Sequence, residues 1–171
     1  RDMMHDDDYS TAFFSESERF FHNRMNGVLA QYNGKRDSYV EFVCDWEGMY
    51  STLSREKFRI LLAGRHYLDT FYYGFNYSMF HYAGQQGAPI ENVVDLQLLN
   101  PCVGVRFNAF FDFDIKLGAL LTAQRDRSFG HSWEKPCMGE FAFRISRWGL
   151  SLDERLYVGD NIHPFFYGHE L

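Results

Sequence analysis

No run of about 18 or more apolar residues occurs in this chain of 171 residues, so no transmembrane helix is expected. That absence says nothing against a transmembrane β-barrel, whose strands alternate and never look apolar on average. Basic runs are missing too. Lys and Arg are scattered singly and the net charge is −6, which argues against a nucleic-acid partner. Proline is scarce, at four residues, so little interrupts a strand. Cysteine is limited to Cys44, Cys102 and Cys137, an odd count without metal-ligand spacing. Cys102 and Cys137 are the pair read at strand ends. In a meander one strand would hold them ~10 Å apart, beyond the ~7 Å reach of a disulfide, so free thiols are expected. No cofactor motif and no internal repeat is found, and no catalytic motif is specific. The chain starts at Arg1 without an apolar leader core, which points to a removed leader or a fragment.

What is abundant is aromatic: 19% of the chain, with 18 Phe and 11 Tyr. Aromatic residues favour strands. The stretch 103–124, VGVRFNAFFDFDIKLGALLTAQ, shows how they are arranged. From Phe111 the odd positions read Phe, Phe, Ile, Leu, Ala, Leu, while Asp112, Asp114, Lys116 and Gly118 take the even ones. A period of two belongs to a strand with one apolar and one polar face. At ~3.3 Å per residue one strand over this span would reach ~70 Å, so a break near Asn108 is expected.

In chain order, residues 1–19 form a polar, acidic lead-in read as a solvated, mobile terminus, in preference to a cation site at His5 and Asp6–Asp8. Residues 20–33 supply a first strand, and Asn33-Gly34 reads as a tight hairpin turn. Residues 38–50 give a second strand, with Val40, Phe42, Cys44, Trp46 and Tyr50 opposite Glu41, Asp45 and Glu47. Residues 58–68 give a third, with Phe58, Ile60 and Leu62 outward against Arg59, Arg65 and Tyr67, although Leu61 and Ala63 interrupt the polar face. A short connection at Asp69-Thr70 leads to an aromatic ribbon over 71–83. A loop over 84–92 precedes a short strand, 93–99, ended by Asn100-Pro101. A second polar loop covers 125–136, a last strand pair 139–158, and the tail is irregular. Eight to ten strands in a single domain over 1–171 are expected.

Three all-β architectures fit: an antiparallel meander closed into an outer-membrane barrel, a soluble ligand-binding barrel, and a sandwich. Alternation alone does not separate them. The outer-membrane form is favoured by the mixed signs of the polar faces, which can neutralise one another across a lumen. It is favoured also by aromatics at strand ends (Tyr39, Trp46, Tyr50, Tyr67, Trp148, Tyr157) and by connections alternating between short and long. On this reading Glu41, Asp45, Glu47, Arg59, Arg65, Asp112, Asp114 and Lys116 face the lumen, and Phe111, Phe113, Ile115 and Leu117 face lipid. The segments FRILLAGRHYL, FDFDIKLGALL and GEFAFRISRWGLSLDERLYVGDN resemble barrel strands of outer-membrane proteins of Gram-negative bacteria, particularly of the Bacteroidota type. The likeness spans most of 25–160. Such barrels commonly finish on Phe, whereas this chain ends His-Glu-Leu, which leaves room for a part of a larger barrel.

The functional expectation is a non-catalytic outer-membrane barrel: a structural element, a small pore, or an accessory subunit of an envelope assembly. Its partners would be membrane lipid and other envelope proteins. The resemblance brings a second reading, a small lipid-modifying hydrolase at the rim, with His131, Ser132 and Glu134 as its residue types. Neighbours in a loop seldom reach the geometry of a nucleophile held by its base, so a polar loop is preferred. The third reading is a secreted or periplasmic soluble barrel binding an apolar or sugar ligand, with the Phe71–Tyr82 ribbon stacking sugar rings. No cofactor and no metal is expected.

Overall fold

The computed structural model describes residues 4–14, 24–87, 93–127, 132–160 and 162. Among the described residues eight strands run in sequence order: β1 (Gly27–Asn33), β2 (Tyr39–Gly48), β3 (Arg55–Leu68), β4 (Phe71–Gln85), β5 (Val94–Asn108), β6 (Asp112–Asp126), β7 (Cys137–Arg147) and β8 (Leu150–Gly159). Every neighbour pairs antiparallel in one sheet of order β1 to β8. The chain is therefore all-β and a meander, and a two-sheet sandwich is not what it forms. Among the described residues no ladder joins β1 to β8.

Short connections (34–38, 69–70, 109–111, 148–149) gather at one end of the strands, and longer ones (49–54, 86–93, 127–136) at the other. The tight turns carry their chemistry at unexpected positions. In the first, Gly34 does not take the positive φ that Asn33-Gly34 led one to expect. Arg36 (φ 57) and Asp37 (φ 61) take it instead, and Ser38 N donates to Lys35 O at 3.1 Å. Tertiary register, fixed by Asn33 opposite Tyr39, sets the loop length and overrides the local dipeptide preference. The last turn, Trp148 (φ 54) and Gly149 (φ 78), has both central residues in the left-handed region, as a twist-matched hairpin needs.

The expected break near Asn108 is present, between β5 and β6. The strand expected to stop at Asn100-Pro101 does not stop. β5 continues through Pro101, which lies opposite Phe75 on β4. The β5–β6 pairing lapses at 100 and 101 and resumes in the same register, Leu99 with Leu121 and Cys102 with Gly118. Proline has no N–H to give. The Asn100 side-chain amide donates to the Ala119 carbonyl at 3.1 Å, standing in for the missing backbone donor. Cys102 accordingly sits in the middle of β5 rather than at a strand end, and all three cysteines are free.

The acidic lead-in is the largest correction. Residues 4–14 are not a solvated tail: Met4, Tyr9, Ser10, Ala12, Phe13 and Phe14 are buried, and all of these but Ser10 form one core with Val43, Leu61, Ala63, Leu98, Leu120 and Met138. The apolar residues that interrupt the polar face of β3 thereby find their purpose, since Leu61 and Ala63 face this inserted segment. Its path also shows how far the sheet curls. In a flat sheet β2 and β8 would stand ~29 Å apart, six strand spacings of ~4.8 Å. Yet Tyr9 reaches both, donating its hydroxyl to Glu41 Oε1 at 3.0 Å and accepting at its carbonyl from Arg155 Nη1 at 3.0 Å. The sheet wraps around the segment.

Candidate functional site

Alternation puts two unlike surfaces on this curled sheet. The convex outer face carries Val28, Val40, Phe42, Phe71, Tyr73, Phe75, Val103, Leu117, Leu121, Leu152 and Leu156, all exposed. The concave inner face carries charge. Glu41 and Asn100 have no exposed surface, Arg59 has 1% and Glu140 2%, and Asp45, Arg65 and Lys116 are also buried. Apolar side chains thus cover the outside while charged ones share the inside with the apolar core, so the polarity of the surface is inverted from that of an ordinary water-soluble protein.

Buried charges are costly unless paired and hydrogen-bonded, and the inner face meets that requirement through two carboxylate-centred networks. The first gathers on Glu41. It receives Tyr9 Oη, Gln31 Nε2 at 3.0 Å and the His5 backbone N–H at 3.1 Å, and His5 Nδ1 lies 3.0 Å away. The His5 ring stacks on Tyr39, centroids 3.6 Å apart. Burial, reinforced by the Glu41 charge, pushes the Tyr9 phenol far above its usual range and keeps it a donor. The second network centres on Glu140, which pairs with Lys116 at 3.2 Å and accepts from Asn100 Nδ2 at 3.1 Å and Tyr157 Oη at 3.3 Å. Ser10 and Thr11 of the inserted segment meet that same Tyr157 hydroxyl at 3.1 and 2.8 Å. The segment is thus latched to both networks.

Toward the short-turn end the inner face opens into mixed charge. Arg65 pairs with Asp8 at 2.7 Å, Tyr39 donates to Asp8 at 2.8 Å, Tyr72 donates to Asp114 at 2.6 Å, and Arg106 lies 3.4 Å from Asp114. Arg144 and Asp153 pair at 2.6 Å. The charges alternate and cancel.

Of the polar positions expected to share one face, Glu41, Asp45, Arg59, Arg65 and Lys116 are buried on the inner face, and Asp114 is half-buried there. Arg59 approaches Asp45 at 3.9 Å from the adjacent strand. Glu47 sits at the long-loop end on Lys57, at 2.6 Å, and Asp112 sits exposed at the turn, taking the Asn108 amide at 2.5 Å. On the other parity Leu117 is exposed, while Phe111, Phe113 and Ile115 are partly covered by ring neighbours such as Phe107 and Phe143. The aromatics expected at strand ends divide. Trp46, Tyr50 and Trp148 are exposed, but Tyr39 and Tyr67 are buried, and Tyr157 serves the inner network, because their parity turns them inward.

The hydrolase residue types are not assembled among the described residues. His131 lies outside them, Ser132 is exposed, and Glu134 accepts from Gln124 Nε2 at 3.1 Å. Sequence reasoning missed Tyr9, Glu140, Asn100 and Tyr157. Glu140 was visible as the polar partner of Phe141 and Phe143, and the apolar pair Phe13-Phe14 within an acidic stretch was the one trace of the inserted segment.

No known protein family's profile matches this chain, and no curated protein or solved structure resembles it significantly.

Proposed function

We propose that this chain is an outer-membrane type β-barrel protein that sits in lipid with its lumen plugged by its own N-terminal segment, and that it serves a structural or accessory role in the cell envelope. The inverted polarity carries the reading: an apolar convex face that water would have to cover, around a charge-paired interior. The outward row of β6 gives the dimension. Phe113, Ile115, Leu117, Ala119, Leu121 and Ala123 are six consecutive outward positions, all apolar, between Phe111 and Arg125. That row spans ~33 Å along the strand at ~3.3 Å per residue, or ~25 Å in height at a tilt of ~40°, the height of a lipid-facing band. Exposed aromatics flank it at both ends, Trp46 and Tyr50 at one and Phe110 and Trp148 at the other.

Full closure, β1 onto β8, belongs to this proposal and removes the two exposed sheet edges. A small barrel of about eight strands has an interior just wide enough for side chains, and here the inserted segment fills it, which favours scaffolding over bulk transport. Nothing in the arrangement of Ser132 and Glu134 favours catalysis.

Partition decides the reading. The purified chain is expected to need detergent to stay monodisperse and to enter phospholipid vesicles in a protease-resistant form. A monomer stable in detergent-free buffer would overturn it.

A further inference from the structure

At the long-loop end of the outer face, directly above the apolar band, strand register aligns one residue from each of five strands: Trp46, Phe58, His81, Asp95 and Arg125. Asp95 is the hub. His81 Nδ1 lies 2.8 Å from its Oδ1, and Arg125 Nη2 and Arg127 Nη2 donate to its Oδ2 at 2.6 and 3.2 Å. Among the side chains bonded to Asp95, one carboxylate answers two guanidiniums, so this group keeps a net positive charge. The Nε of Arg125 is buried and has no acceptor among the described residues. Its guanidinium carbon lies over the Trp133 ring, 4.5 Å from the centroid. The charges border a cleft of about 250 Å³ that Phe58, in the same row, and Met79, one row toward the apolar band, also line. Lined by guanidiniums, by the rings of Phe58 and Trp133 and by the Met79 side chain, it matches an amphiphile with an anionic head.

We propose that this cleft binds the phosphate of a lipid headgroup, with Arg125 and Arg127 as its ligands and an acyl chain lying over Phe58 and Met79. The inference rests on the outer face being the lipid-facing one. Guanidiniums suit phosphate because their donors match its oxygens in pairs, and the excess charge beside hydrocarbon has no cheaper partner. Asp95 orients both arginines and occupies only part of their donor capacity. His81, bonded to Asp95, closes the opposite side.

The test compares the chain in nanodiscs of phosphatidylglycerol and phosphatidylcholine mixed equally, reading the lipids retained on the protein by native mass spectrometry. Wild type is expected to retain phosphatidylglycerol preferentially. Arg127→Gln, at a side chain exposed enough to leave folding alone, lowers that preference about fivefold, the worth of one basic group near an anionic lipid surface. Asp95→Asn, which frees both guanidiniums, raises it. Equal retention of the two lipids by wild type, or an unchanged preference in Arg127→Gln, overturns the inference while leaving the barrel reading intact. Failure of the chain to enter nanodiscs at all sinks both. Inorganic phosphate at millimolar concentration is expected not to displace the lipid. Full displacement would show a free-anion site and refute the lipid assignment.

Discussion

Single side chains carry the inverted polarity, and two substitutions separate its faces. Leu117 projects from the middle of the outer band and is 58% exposed. Exposed surface positions in water tolerate change within about 0.5 kcal/mol. A lipid-facing position does not, and Leu117→Arg is expected to cost ~2–4 kcal/mol near the bilayer midplane, measured by denaturant unfolding from vesicles. A cost near zero there would argue for an aqueous surface. One position earlier the chain faces inward, and Lys116→Met leaves the buried Glu140 carboxylate with neutral donors alone. Breaking such a pair typically costs ~3–5 kcal/mol. The double variant Lys116→Met with Glu140→Leu is expected to recover part of that loss in the same unfolding assay.

Among the elements, β5 and the inserted segment each do something their own residues do not announce. β5 keeps its register across Pro101 because Asn100 lends a side-chain donor to Ala119 O and a second hydrogen bond to Glu140. Asn100→Ala strands the Ala119 carbonyl and removes one of the donors to Glu140, which keeps Lys116 and Tyr157, so a loss of ~2 kcal/mol is expected, about that of a buried polar group left unsatisfied. Hydrogen exchange should show it first at β5 and β6, near Ala119. The segment 4–14 crosses the inner face and is latched at Glu41 and at Tyr157. Deleting residues 4–14 is expected to convert a silent protein into a conducting one in planar bilayers. The full chain conducting as well as the deletion variant would remove the plug from its assigned role. The same deletion exposes Leu61, Leu98 and Leu120, so lower stability should accompany the opening.

For the molecule as a whole, the decisive place is the seam between β1 and β8. β1 and β8 carry unpaired edges in the described sheet, yet the curl brings β2 and β8 onto one short segment. In lipid an unpaired edge is untenable, because nothing there replaces the missing hydrogen bonds. Amides along Leu150–Gly159 are therefore expected to be protected from exchange as strongly as those of β4 once the protein is in bilayers. Rapid exchange confined to β1 and β8 would show a seam open to water.

The sequence by itself determined the alternation, and with it most of the strands (though not the passage of β5 through Pro101), the division at 109–111 and the membership of the two faces. A period of two is local and survives whatever the strand packs against. Phe113, Leu117 and Leu121 could therefore be placed on one side of β6, and Lys116 on the other, from their parity alone. Which side is outside was decided only in the tertiary structure, since a soluble barrel and its inverted counterpart share one pattern. The same holds for residues 4–14, whose acidic composition hides the burial of Tyr9, Phe13 and Phe14. Their partners, Glu41 and Tyr157, lie 32 and 147 positions away from Tyr9 and Ser10 respectively. Pairing across such distances is set by how the sheet curls, which depends on contacts among all eight strands and is written in no single stretch of the chain.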